Sequence, residues 1–255
     1  MCTVILLRRP DHEWPIILAA NRDEMLNRAW QPPDRHWSDR PYIVAGLDEV
    51  AGGSWMGLND YGVVACMLNR QNSLGPAENK RSRGELVLDA LDHADAKEAA
   101  ESLAHLDPEA FRPFNMIVTD NRDTYWLHLK KYYPDQPAHL SVNAIGKGVS
   151  MFTAQDHNDR SDPRIEKYLP EFQKATVPDP NNDEWSHWIR LLGGQNTDGN
   201  PTSGMCFNTK EGFGTSSSAL LALRSVDYIA SDKQVAVWKF ADGPPDSVAF
   251  ETVRV

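Results

Sequence analysis

The sequence predicts an α+β protein built on antiparallel sheets. Apolar runs of strand length come as hairpins near both ends of the chain, and helix signals fall between those ends rather than alternating with single strands. The 255 residues are 41% hydrophobic, enough to bury a substantial core as one domain over residues 1–255 without disulfide or metal staples.

Element by element, Thr3-Val4-Ile5-Leu6-Leu7 is a first short strand. Arg8 to Pro15 bring charges and two prolines, and residues 16–20 resume as the second strand of a long-looped hairpin. Residues 21–39 are polar and aromatic with Pro32-Pro33 and read as a surface loop, and residues 42–46 as a third strand. Gly52 to Leu58 lead through Asn59-Asp60-Tyr61-Gly62 into residues 63–68, an uninterrupted apolar strand of the kind buried on both faces. Ser82-Arg83-Gly84-Glu85 has capping-box spacing ahead of one helix, and Asp95 caps a second over residues 96–106. Residues 114–119 and 124–129 read as a hairpin turning at Asp120-Asn121. Asp162-Pro163 opens a helix toward Lys174, and residues 184–192 form another that Gly193-Gly194 stops. After a polar loop from Asn196 to Ser203, strands return at 205–209, 218–223, 227–230, 235–240 and 248–253.

Composition narrows the partners. Lys plus Arg number 26 against 36 Asp plus Glu, a net charge of -10, and such a chain repels phosphate backbones at long range. The only basic cluster, Lys80-Arg81-Ser82-Arg83, is a solvated helix start, so no nucleic-acid partner is expected. The first apolar run, Val4 to Leu7, is closed by Arg8 and Arg9, the reverse of a secretory signal, and no stretch approaches a membrane span. Three scattered cysteines, Cys2, Cys66 and Cys206, suit a reducing cytoplasm. Cys66 and Cys206 both sit in apolar strand-like runs and read as core. Trp14, Trp30, Trp37 and Trp55 read as core and loop anchors that could also line an apolar pocket.

Most catalytic motifs are missing. There is no phosphate-binding GxxxxGK[ST], and Gly212-Phe213-Gly214 lacks a third glycine because Ser217 stands there. Gly53-Ser54 fails as a nucleophile elbow at Met56. Asp156-His157-Asn158-Asp159 lacks the glycine and terminal glutamate of a calcium loop and reads as a polar turn, so no metal is expected.

Two features carry chemistry. Removal of Met1 leaves Cys2 with a free α-amine, whose reference pKa of ~7.7–8.0 lies close to the thiol's ~8.5. Nucleophile and general base then share one residue, the minimal device for acyl transfer. The second is Asn21-Arg22-Asp23-Glu24, at the end of the strand that the hairpin brings opposite Cys2. A guanidinium there favours the thiolate, and a carboxylate can hold the ammonium.

Met-Cys-Thr at the start, Asn21-Arg22-Asp23-Glu24, the run from Gly53 through Asn59 to Leu68-Asn69-Arg70, and Gly214-Thr215-Ser216-Ser217-Ser218 together resemble the NRDE family, which is named for that tetrapeptide and includes the transport-and-Golgi-organisation proteins. The resemblance implies an N-terminal-nucleophile hydrolase fold, an αββα sandwich with two stacked antiparallel sheets. Its wider group, with penicillin V acylases and conjugated-bile-acid hydrolases, cleaves amides with an N-terminal cysteine. By that resemblance Cys2 is the nucleophile, Arg22 and Asp23 tune it, and Asn69 donates to the oxyanion. Asn21, Glu24, Trp55 and Arg70 are substrate-binding candidates, and Asn21 or Glu24 could take the role of Arg22 or Asp23. The group often carries an amide where Ala154 stands and an arginine where Ser216 stands. The implied function is cofactor-free hydrolysis of a small-molecule amide or related acyl substrate. The alternative is a non-enzymatic carrier of an apolar ligand such as haem or lipid.

Overall fold

The computed structural model describes residues 2–131, 136–195, 200, 203–228 and 234–255. The chain divides into two compact units, one joining Met1–Arg28 to Lys147–Arg254, the other running from Ala29 to Gly146. The fold is α+β, and among the described residues each unit is built on one antiparallel sheet.

The chain begins in the first unit with the expected hairpin, β1 (Thr3–Arg8) and β2 (Ile16–Met25), registered Val4 to Ala20 and Leu7 to Ile17. It then builds the whole second unit. There β3 (Trp30–Asp34), β4 (Ile43–Asp48), β5 (Met56–Asn59), β6 (Val64–Asn69), β7 (Phe114–Thr119), β8 (Thr124–Lys130) and β9 (His139–Ala144) pair in strict chain order, a seven-stranded meander. Helices α1 (Gly84–Leu91) and α2 (Ala96–Leu103) leave the meander between β6 and β7. They bury Leu86, Val87, Ala90, Leu91, Ala99 and Leu103 against Ala65, Met67, Met116, Val118 and Leu127. Gly53 lets α1 come this close: a Cβ there would lie 2.5 Å from the Gly84 carbonyl carbon at the helix start.

Back in the first unit, β10 (Gly148–Phe152) pairs with β1 on its far side from β2. Helix α3 (Pro163–Lys174) starts at the Asp162 cap, with Pro163 in its first turn, and α4 (Ser186–Leu192) follows. β11 (Phe213–Leu223), β12 (Ala236–Ala241) and β13 (Glu251–Thr252) complete the six-stranded order β10-β1-β2-β11-β12-β13. Its core sets Ile5, Ile17, Ala19, Leu220 and Ala222 against Ile165, Leu169, Phe172, Trp188 and Leu192 of the helices.

Several expectations are corrected. Residues 21–24 are not loop but the last turnless stretch of β2, because β11 continues to pair with them after β1 has ended. Residues 30–34, read as loop, form β3 despite their two prolines, at the edge of the meander where a missing N–H costs no ladder bond. Residues 205–209 hold one bridge, Asn208 to Gly214, and no strand. Val226–Tyr228 is a short 3-10 turn, and positions 229–230 of that expected strand lie outside the described residues, as do Met1 and most of the loop from Asn196 to Ser203. Arg83, not Ser82, occupies the N-cap of α1, and its side chain makes no cap bond. Ser82 Oγ instead accepts from Gly84 N at 3.2 Å. Asp95 caps α2 as expected, accepting from Glu98 N at 2.8 Å. The Asp156-to-Asp159 segment is a turn tied to β10, with Met151 N donating to Asn158 Oδ1 at 2.8 Å. Among the described residues no helix is long and apolar enough to cross a membrane.

Candidate active site

A strand of polar residues is buried only if another polar strand satisfies it. β2 carries Asn21, Arg22 and Asp23 and all three are buried; facing them β11 carries Thr215, Ser216, Ser217 and Ser218, also buried. The register pairs Asp23 with Thr215, Arg22 with Ser217 and Asn21 with Ser218, with Ser216 bulged out between. Apart from Ser217, whose buried Oγ has no hydrogen-bond partner among the described residues, these polar residues find partners through this geometry. Thr215 Oγ1 donates to Asp23 Oδ1 at 2.8 Å, and Ser218 Oγ donates to Asn21 Oδ1 at 2.7 Å. The bulged Ser216 accepts from Arg22 Nη1 at 2.9 Å and donates to the Arg22 carbonyl at 3.1 Å. Gly214 opens the run because a Cβ there would lie 2.6 Å from the Phe207 carbonyl oxygen.

Cys2 sits just ahead of β1, whose Thr3 is registered with Asn21, so continuing the ladder by one position sets Cys2 beside Arg22. The partly buried Cys2 thiol donates to the Asp23 carbonyl, Sγ to O 3.6 Å. Burial raises its pKa above the ordinary value, and the Asp23 carboxylate adds to this. The Asp23 carbonyl contact and the Arg22 guanidinium work the other way and are outweighed. Arg22 thus acts on the thiol in the expected direction, and burial outweighs it. Cys66 and Cys206 are buried as expected, and burial together with Asp246 pushes the Cys206 thiol to about 12.

Sequence reasoning missed Arg164. Asp162 Oδ1 accepts from Arg164 N at 2.8 Å, and Asp162 Oδ2 accepts from Thr153 Oγ1 at 2.6 Å, which fixes the first turn of α3 at the end of β10. From there the Arg164 guanidinium donates to Asp23 Oδ2 at 3.0 Å and to Thr3 Oγ1 at 2.6 Å, both partners of the ion pair being essentially inaccessible. The available signal was its sign, since a helix's first turn favours acids.

Of the other expected residues, Asn21 turns to structure: both amide hydrogens are spent on the carbonyls of Leu192 (3.0 Å) and Met205 (2.8 Å). Glu24 accepts from Met25 N at 2.9 Å and lies 4.0 Å from Arg28. Asn69, Arg70 and Trp55 belong to the second unit. Asn69 ends β6, Arg70 donates to Asn115 Oδ1 at 2.6 Å, and Trp55 meets Trp30 edge to face at 5.5 Å. Trp14 is core in the first unit, and Trp37 packs beside the core of the second. Ala154, where related enzymes often carry an amide, is buried.

The fold defines the class. The chain aligns with a Caenorhabditis elegans N-acylethanolamine-hydrolyzing acid amidase ortholog over 92% of its own length and 98% of the other's, with a TM-score of 0.57 at 16% identity. A conjugated bile acid hydrolase variant from Clostridium perfringens aligns over 100% and 97%, with a TM-score of 0.54 at 13% identity. The fold is thus the α+β fold of the N-terminal-nucleophile hydrolases. Within that class, residues 1–225 match the Transport and Golgi organisation 2 family, and the chain belongs to it. It is 34% identical to the Mus musculus Transport and Golgi organization 2 homolog over an alignment of 115 residues that covers 41% of this chain and 38% of the mouse protein.

Proposed function

We propose that the protein is a cysteine amidohydrolase whose nucleophile is Cys2 once Met1 has been removed. One observation carries the reading: Cys2, Arg22 and Asp23 meet at the head of the β1-β2 hairpin, in a fold shared with proteins named for amide hydrolysis. In this mechanism the free α-amine takes the Sγ proton as sulfur attacks the substrate carbonyl. The resulting ammonium gives that proton to the leaving amine as the C–N bond breaks and a thioester forms on Cys2. The amine then draws a proton from water, whose oxygen attacks the thioester and frees the acid and the thiol. Arg22 offsets negative charge at sulfur, and Asp23 balances the ammonium. Asn69 is carried as the oxyanion donor on the sequence resemblance alone. The substrate class is an amide or related acyl compound, without a cofactor. The setting expected from the cysteine usage is cytoplasmic.

The test joins two measurements on the full chain. Intact mass reports whether Met1 is removed, and a panel of N-acyl amides with varied chain length is assayed by product mass spectrometry. Turnover by the processed protein that is lost in Cys2→Ala, and reduced ~10²–10³-fold in Asn69→Ala, supports the mechanism. A retained Met1, or turnover that survives Cys2→Ala, overturns it. The second reading, an apolar-ligand carrier, is favoured by the raised Cys2 pKa and by Ala154 in place of an amide. It predicts saturable binding of a fatty acyl chain or haem that Cys2→Ala leaves intact.

A further inference from the structure

We propose that Arg164 is a positioning residue for the Cys2 site, acting through a single buried guanidinium that fixes Asp23 on β2 and Thr3 on β1 at once. The inference rests on Cys2 being the functional residue of this unit. Three observations on the page carry it.

The first is geometry. Thr3 follows Cys2 directly, and Asp23 supplies the carbonyl that accepts the Cys2 thiol. Arg164 Nη1 reaches Thr3 Oγ1 at 2.6 Å and Asp23 Oδ2 at 3.0 Å, so one group joins both sides of the hairpin next to Cys2. The second is location. Arg164 lies in the first turn of α3, where the helix dipole disfavours a cation, and its guanidinium is almost wholly out of solvent. A cation placed against both penalties needs a buried counter-charge, and Asp23, whose carboxylate is fully buried, is that charge. The third is the sequence around the bulge. Thr215, Ser216, Ser217 and Ser218 bring no cation to this cluster, and Ser216 is occupied with Arg22. The second cation at this polar cluster comes from a helix instead of from β11.

The consequence is electrostatic as well as mechanical. The charged groups acting on Cys2 are Asp23 and Arg22 from β2 and the terminal ammonium, and Asp23 itself faces Arg164 from α3 and Cys206. Neutralising Arg164 removes one compensating charge from Asp23 beside the thiol, which makes the thiolate harder to form.

The test is the pH dependence of Cys2 alkylation by iodoacetamide in the full chain, followed at the Cys2 peptide by mass spectrometry. It needs no substrate. Arg164→Gln is expected to move the midpoint upward by about one pH unit. Arg164→Lys keeps the charge on a shorter, non-planar head group and moves it in the same direction by less. Asp23→Asn moves it downward, and Arg164→Gln combined with Asp23→Asn matches Asp23→Asn alone. An unchanged midpoint in both Arg164 variants, or a full Arg164→Gln shift that persists when Asp23 is Asn, overturns the inference. Should Arg164→Gln fail to fold, the Arg164→Lys pair with and without Asp23→Asn gives the same decision. Hydrolysis is assayed separately. An inactive wild type with the alkylation shifts intact discards the amidohydrolase and retains the positioning role.

Discussion

The two units solve the same problem with different chemistry. Among the described residues each is an antiparallel sheet with two α-helices, and each pins a helix C-terminus with one buried asparagine. In the meander Asn59 donates to the carbonyls of Leu91 (2.8 Å) and His93 (2.7 Å) at the end of α1, and accepts from Tyr61 N and Val63 N. In the six-stranded sheet Asn21 donates to Leu192, at the end of α4, and to Met205, and accepts from Ser218. Beyond that the units part. The meander buries apolar side chains and keeps ion pairs such as Arg81 with Glu85 outside, whereas the other unit buries a complete ion pair, Asp23 with Arg164. The difference teaches where to aim a test: a buried charge pair adds little stability over an apolar one, and here one stands at the head of the first hairpin.

The largest test of that contrast is on the two ion pairs. Asp23→Ala leaves a buried guanidinium without its counter-charge and should cost about 3–5 kcal/mol in urea unfolding. Adding Arg164→Leu should recover most of the loss. Arg81→Ala, by contrast, should cost about 0.3–0.5 kcal/mol. Equal costs for the two pairs would remove the distinction between the units.

The asparagines come next. Asn59→Ala orphans two carbonyls and two amides and should cost about 3 kcal/mol, and Asn21→Ala, with three partners, about 2 kcal/mol. Gly53→Ala should cost about 1–3 kcal/mol, since its Cβ meets backbone of α1 rather than a side chain that can turn away. A tolerated alanine at Gly53 would mean that α1 is not seated on the sheet as closely as its position requires.

These residues also mark what the sequence could and could not reveal. The hairpins β1-β2 and β7-β8, the strand β6 and the capped helices α2 and α3 were legible, because apolar runs and cap residues report burial and chain ends directly. β9 escaped because an edge strand that is mostly half-exposed or exposed carries no apolar signal. The polar halves of β2 and β11 escaped for the opposite reason. Their burial is satisfied by each other, and hydropathy cannot see a Thr215–Asp23 or Ser218–Asn21 contact between residues nearly 200 positions apart. Cys2, Arg22 and Asp23 were legible as candidates through the tetrapeptide. Arg164 was not, since its partner is fixed only by how α3 lies on the sheet.

The smallest expected effect returns to the meander, at a carboxylate that is charged, well bonded and exposed. Glu109 accepts from Ala138 N at 2.7 Å and from Lys131 Nζ at 3.1 Å, while Lys80 reaches both its carboxylate and its carbonyl. Those bonds, the Ala138 amide foremost, hold its pKa at about 2. A carboxyl whose folded pKa is depressed contributes stability above its unfolded value near ~4.3, and that contribution fades as pH falls toward the folded value. The stability gap between wild type and Glu109→Gln should therefore be present at pH 6 and close between pH ~4 and ~2. A Glu109 gap that is unchanged on acidification would show that its bonds survive protonation. The carboxyl would then serve this unit as a neutral hydrogen-bonding group.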